Sequence, residues 1–141
     1  MSGEYHVAAE LQRRGVNASV TYGNAKSADV IAFSRDKNRV VAVEVKSTKQ
    51  KEWVIGNSIP APTTQPWVFV HFPITSNDPP TYYVVLQSEL CNIIKANDDG
   101  YNARYKEKHG VDFSGKGVMK IKKFLLEEHR DKWEKITDAI V

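Results

Sequence analysis

The sequence predicts an α/β sandwich around a central mixed sheet, and three observations carry that expectation. Helix-spaced apolar residues open and close the chain. A β-branched run at residues 40–46 reads as a buried central strand. Two further aromatic and β-branched runs follow at residues 67–72 and 82–86. A length of 141 residues suits one domain spanning residues 1–141.

Each element has a local reason. Val7, Ala8 and Leu11 share a helical face and Gly15 follows, so a first helix ends there. Residues 16–22 alternate weakly. A polar turn at residues 23–27 leads into Asp29-Val30-Ile31-Ala32-Phe33, a short buried strand. Asp36-Lys37-Asn38 turns the chain back into residues 40–46, a strand apolar enough to be covered on both faces, and the two make a hairpin. Prolines make residues 59–66 a loop. After the strands at 67–72 and 82–86, Ser88 is expected to cap a helix running to about Asn97. Asp98-Asp99-Gly100 then opens a polar connection to about Gly117. A short strand at 118–122 and one amphipathic helix over 124–140 close the chain.

Composition bounds the function classes. No stretch reaches the roughly 20 apolar residues of a membrane span, and the N-terminus lacks the layout of a signal peptide, so a soluble, cytoplasmic protein with no membrane partner is expected. Cys91, the one cysteine, excludes an intramolecular disulfide or a cysteine metal centre and reads as buried. The net charge of +3 is mild. Residues 1–100 hold ten Lys/Arg against ten Asp/Glu and residues 101–141 ten against seven, so the excess is C-terminal, as an ordinary solvated lysine-rich face would also give. Trp53, Trp67, Tyr82 and Tyr83 read as core, and His71 as structural. His109 and His129 lack partners at metal-ligand spacing.

The chemistry lies in a conflict between pattern and polarity. Glu44 and Lys46 are charged residues in the most hydrophobic strand, two positions apart and therefore on one face. Asp29 opens the preceding strand, and hairpin pairing brings it beside Glu44. Two carboxylates that close repel unless a cation intervenes. Mg²⁺ (or Mn²⁺) accepts such oxygen ligands, with a backbone carbonyl such as that of Val45 and a phosphate oxygen completing the shell. Lys46 would orient a water or stabilise developing negative charge. A bare Glu-x-Lys is more often a surface ion pair, and Asp29 alone could be a turn residue; the conjunction of context and spacing favours the site.

The segments Ser27-Ala28-Asp29-Val30-Ile31 and Val43-Glu44-Val45-Lys46-Ser47, with fourteen residues between Asp29 and Glu44, resemble the PD-(D/E)XK nuclease superfamily, which includes restriction endonucleases and archaeal Holliday junction resolvases. Ala28 stands where that family usually has proline. The resemblance covers about the first 75 residues and implies a restriction endonuclease-like α/β/α sandwich, a Mg²⁺-dependent site at Asp29, Glu44 and Lys46, and DNA as substrate. It also implies a metal-site role for a glutamate of the opening helix, here Glu4 in preference to Glu10. Cleavage in this family leaves a 5′-phosphate.

Weaker expectations surround the core. Asn24, Lys26 and Ser27 could meet a DNA phosphate, though an ordinary turn explains them equally well. Lys49 and Lys51 could contact the backbone, as could the lysines at 116, 120, 122 and 123, with a solvated surface as the alternative. A homodimer is expected because cutting both strands with one small site takes two copies. The alternative function is a non-catalytic nucleic-acid-binding or protein-interaction module on the same fold.

Overall fold

The computed structural model describes residues 2–22, 29–36, 38–75, 77–111 and 119–140. Helix α1 (Ser2–Arg13) is followed by β1 (Asn17–Val20), β2 (Val30–Phe33), β3 (Val40–Thr48), β4 (Glu52–Gly56), β5 (Pro66–His71) and β6 (Thr81–Leu86). Helix α2 (Gln87–His109), β7 (Met119–Lys122), a 3-10 segment (Lys123–His129) and helix α3 (Glu134–Ile140) complete the chain. Five strands form a sheet in the order β1-β2-β3-β5-β6, parallel between β3 and β5 and antiparallel elsewhere, so the central sheet is mixed, as the sequence predicts. The expected β2–β3 hairpin is present, with Val30 opposite Val43 and Phe33 opposite Val40.

The sheet has two different coverings. On one face, α1 (Val7, Ala8, Leu11) and α3 with its approach (Trp133, Ile136, Ile140) bury Val30, Ala32, Val43, Val45, Val68, Val70 and Val84. On the other, Trp53 and Ile55 of β4, Ile121 of β7, Leu90 and Ile94 of α2 and Leu126 pack on Trp67, Phe69, Tyr83 and Val85. Strands β5 and β6 are therefore apolar at nearly every position, because both their faces are covered. That second cluster includes no residue of β1, β2 or β3, so the opposite face of the hairpin stays half-exposed at Ile31, Ala42, Glu44 and Lys46.

Three elements differ from the sequence expectation. First, β4 and β7 pair into a separate two-stranded sheet, with Trp53 opposite Ile121. The strand at β7 was expected from the sequence, whereas β4 was not. Trp53 anchors it by donating its indole N–H to Val70 O at 3.1 Å.

Second, α2 does not stop near Asn97. It runs through Asp98, Asp99 and Gly100 to His109 and ends at Gly110, which adopts φ 72° and donates its N–H to Lys106 O. Tyr101, Tyr105 and His109, one turn apart, pack as tilted ring pairs with centroids 6.2 and 4.3 Å apart and support the outer turns. At its start Ser88 is not the cap; Glu89 reaches back to accept the Leu86 N–H at 2.9 Å.

Third, the expected single C-terminal helix is broken. Asp131 adopts φ 54° and donates its N–H to Tyr82 O at 2.9 Å, while Arg130 bridges to Tyr83. Covering the backbone edge of β6 satisfies polar groups that a continuous helix would leave open. Cys91 is buried, as expected.

Candidate active site

Asp29 sits one residue before β2 and extends the hairpin ladder: its N–H donates to Val43 O, and Thr21 N–H donates to its carbonyl, both at 3.0 Å. The pairing of Val30 with Val43 places Asp29 opposite Glu44, on one face. Asp29 Oδ2 accepts the Val45 N–H at 2.9 Å, so one carboxylate oxygen is fixed by the neighbouring strand. Glu44 and Lys46 project together into the uncovered side of β3, with Lys46 Nζ 3.6 Å from Glu44 Oε1. Burial, and next the charge of Asp29, raise the Glu44 carboxyl above the ordinary value; Lys46 opposes that shift and Glu4 adds a smaller push in the same direction.

Glu4 lies in the first turn of α1, half-buried, with its Oε2 screened from solvent. Its closeness to β3 has a steric basis. A Cβ at Gly3 would overlap the Ser47 hydroxyl and touch Val45, so only glycine allows the helix to start this near the strand. The structure thus brings Asp29, Glu44 and Lys46 to one place and sets Glu4 within electrostatic reach. Lys49 and Lys51 follow β3 on the exposed turn before β4. Asn24, Lys26 and Ser27, like Lys116 and Val118, lie outside the described residues.

Trp67 is a member of this site that sequence reasoning assigned only to the core. The parallel register sets it opposite Glu44, and Lys46 Nζ stands 5.6 Å from its ring centroid. Its indole N–H donates to Gln87 Oε1 at 3.2 Å, which fixes the ring. The only signal for this lies in the β3–β5 register, and a parallel pairing across a loop of variable course leaves no local mark in a sequence. Beyond Lys46 opens a cavity of about 280 Å³ lined also by Thr48, Gln50, Glu52 and Lys120.

Among the described residues, no group of three His, Cys, Asp or Glu side chains is gathered closely enough to hold a metal ion. The oxygen-only pair Asp29 and Glu44, whose repulsion is relieved by positive charge, suits a hard divalent cation that keeps several of its waters. Val45 joins the site through its N–H.

No family model matches the chain, and no curated protein matches its sequence. Among solved structures it is similar to Hjc, a Holliday junction resolvase from the archaeal hyperthermophile Archaeoglobus fulgidus. The TM-score is 0.46 at 12% identity, over 86% of this chain and 89% of that one.

Proposed function

We propose that the chain is a divalent-metal-dependent DNA endonuclease that hydrolyses phosphodiester bonds at Asp29, Glu44 and Lys46. The observation that carries this reading is the convergence of two carboxylates and an ammonium on the one uncovered face of a central strand, where burial and next the charge of Asp29 raise the Glu44 carboxyl above its ordinary value. Lys46 offsets the repulsion between the two carboxylates only in part, a bound cation would relieve the rest, and charged groups held together in this way tend to mark functional sites.

Asp29 and Glu44 would hold Mg²⁺ or Mn²⁺, with the Val45 carbonyl and Glu4 as further expected contributors. The cation would neutralise phosphate charge and lower the pKa of a water, so that hydroxide can attack phosphorus while the bond to the 3′ oxygen breaks, giving a 5′-phosphate and a 3′-hydroxyl. Asp29 is held for this by Val45 N–H, and Lys46 by the Glu44 carboxylate and the Trp67 face. Lys46 stabilises negative charge as it develops on the phosphoryl group, or orients the attacking water, with no need to give up its proton. The resemblance to PD-(D/E)XK nucleases supports the same roles, and a homodimer would place two such sites on the two strands of a duplex.

The test is cleavage of linear, supercoiled and branched DNA with Mg²⁺ or Mn²⁺ and with a chelator. Metal-dependent nicking that is abolished in Glu44→Gln and strongly slowed in Lys46→Ala is expected. Failure to cut any of these substrates overturns the enzymatic reading and favours a non-catalytic binding module, to which the lack of a three-ligand cluster among the described residues is the one observation that points. A strictly monomeric mass together with full activity on double strands would remove the homodimer.

A further inference from the structure

Strands β4 and β7 bring together two lysine-bearing stretches distant in sequence. Pairing sets Glu52 opposite Lys122 and Val54 opposite Lys120, and Lys123 N–H donates to Lys51 O at 2.8 Å. Trp53 and Ile121 turn into the core, which leaves Val54, Lys120 and Lys122 on the outer surface. Three cavities meet around this small sheet. The first, about 280 Å³, begins at Lys46 and reaches Gln50, Glu52 and Lys120. The second, about 550 Å³, shares Gln50 and Glu52 with it and adds Lys49, Lys51 and Ile74. The third, about 450 Å³, shares Lys51, Glu52 and Lys123 with the second and ends at Phe124. The shared residues order the three along one path from Lys46 to Phe124, a groove in three segments.

Its lining combines ammonium groups with exposed apolar side chains. Phe124 is 67% and Ile74 64% exposed, while Leu126, two residues on, supplies the buried anchor of the 3-10 segment. Two carboxylates share the groove, but both are engaged: Glu52 pairs with Lys120 at 3.4 Å, and Glu127 accepts the Tyr83 hydroxyl at 3.4 Å. Among the described residues, Lys49, Lys51, Lys122 and Lys123 make no ion pair with a carboxylate.

We infer that this groove binds a single-stranded stretch of nucleic acid leaving the candidate active site, with phosphates on Lys51, Lys122 and Lys123 and an unpaired base stacked on Phe124. Lysines alone would serve a duplex equally well. The exposed ring decides between them, because a duplex keeps its bases stacked on one another, whereas an unpaired strand offers a base face to the ring and phosphates to the lysines together. The inference rests on the phosphodiester-cleaving reading of the Lys46 site for its direction, and its test does not depend on cleavage.

The experiment is fluorescence anisotropy of the full chain in chelator, with a labelled oligothymidylate of about twelve nucleotides, within the span that one such surface covers, and a duplex of equal length. The single strand should bind more tightly than the duplex. Phe124→Ala should weaken it about tenfold and leave the duplex unchanged, whereas Phe124→Trp should retain tight binding. Lys51→Ala and Lys123→Ala should each lower the salt slope for the single strand by about 0.7. Because these side chains are on the surface, the variants should melt with the wild type. Equal binding of both nucleic acids, binding to neither, or wild-type affinity in Phe124→Ala would overturn the groove. Mn²⁺-dependent cleavage by the wild type, measured separately, reports on the active-site reading: groove binding without cleavage sinks only the enzyme, and cleavage without a Phe124 effect sinks only the groove.

Discussion

Removing the charge of Glu44 should leave the metal-free fold as stable as before or make it more so. Its carboxyl is held above the ordinary value by burial and by Asp29, so the ionised form opposes folding. The stability this group contributes is complete while it is protonated, below the unfolded value of about 4.3, and is lost as pH rises through the higher folded value. At neutral pH, Glu44→Gln recovers that loss and forfeits only the half-exposed pairing to Lys46, worth ~0–1 kcal/mol.

Asp29→Asn should behave differently without metal. Asp29 Oδ2 accepts the Val45 N–H, and exchanging a charged acceptor for an amide oxygen should cost about 1 kcal/mol. With Mn²⁺ at a hundred times its dissociation constant the wild type should gain ~2.7 kcal/mol, a rise of roughly 5–10 °C in Tm for a chain of this size. That gain should largely vanish in Glu44→Gln and Asp29→Asn and shrink less in Glu4→Gln, whose charge is the weakest of the contributions felt at Glu44. Thermal melts of the four proteins with and without Mn²⁺ give the answer, and equal metal responses across the set would refute the site.

Lys46→Ala should lower the single-turnover cleavage rate by about 10²-fold while DNA affinity changes little, since its role belongs to the transition state; a loss confined to affinity would reassign it to binding. Gly3→Ala should cost ~1–3 kcal/mol in denaturant melts, because the new methyl meets the Ser47 hydroxyl, and unchanged stability would show that α1 is free to shift. His129 accepts from Lys135 Nζ at 2.8 Å, and burial followed by the Lys135 charge holds its pKa below the ordinary value, against the opposing pull of Glu89. Protons then bind the unfolded chain first, so stability should fall as pH drops through about 6.5 and level off below the folded value. His129→Gln should flatten that slope, and an unchanged slope would place the titration elsewhere, His71 being shifted the same way.

The elements legible in the sequence are those fixed by contacts near in the chain. The Asp36–Asn38 turn and the two flanking apolar runs announce the β2–β3 hairpin, and Val7, Ala8 and Leu11 announce the face of α1. Where the expectation failed, one reason lies within the helix itself and the other in a distant partner. Gly100 reads as a helix stop, yet α2 continues because its Tyr101, Tyr105 and His109 rings sustain the turns beyond it. Residues 124–140 carry a helical pattern, yet the open edge of β6 draws Arg130 and Asp131 out of it.

The candidate site divides along the same line. Asp29, Glu44 and Lys46 belong to one hairpin, so strand alternation and a single turn suffice to predict that they meet. What makes their meeting tolerable is not local. Charges can occupy β3 because the apolar layer on that face ends at β5, and it ends there because Trp53 and Ile121 draw β4 and β7 together over β5 and β6. The pairing that leaves β3 uncovered also turns Lys120 and Lys122 outward beside Lys51. The open face around Lys46 and the lysine-lined groove leading away from it are thus two consequences of one strand pairing, which no local pattern in the sequence marks.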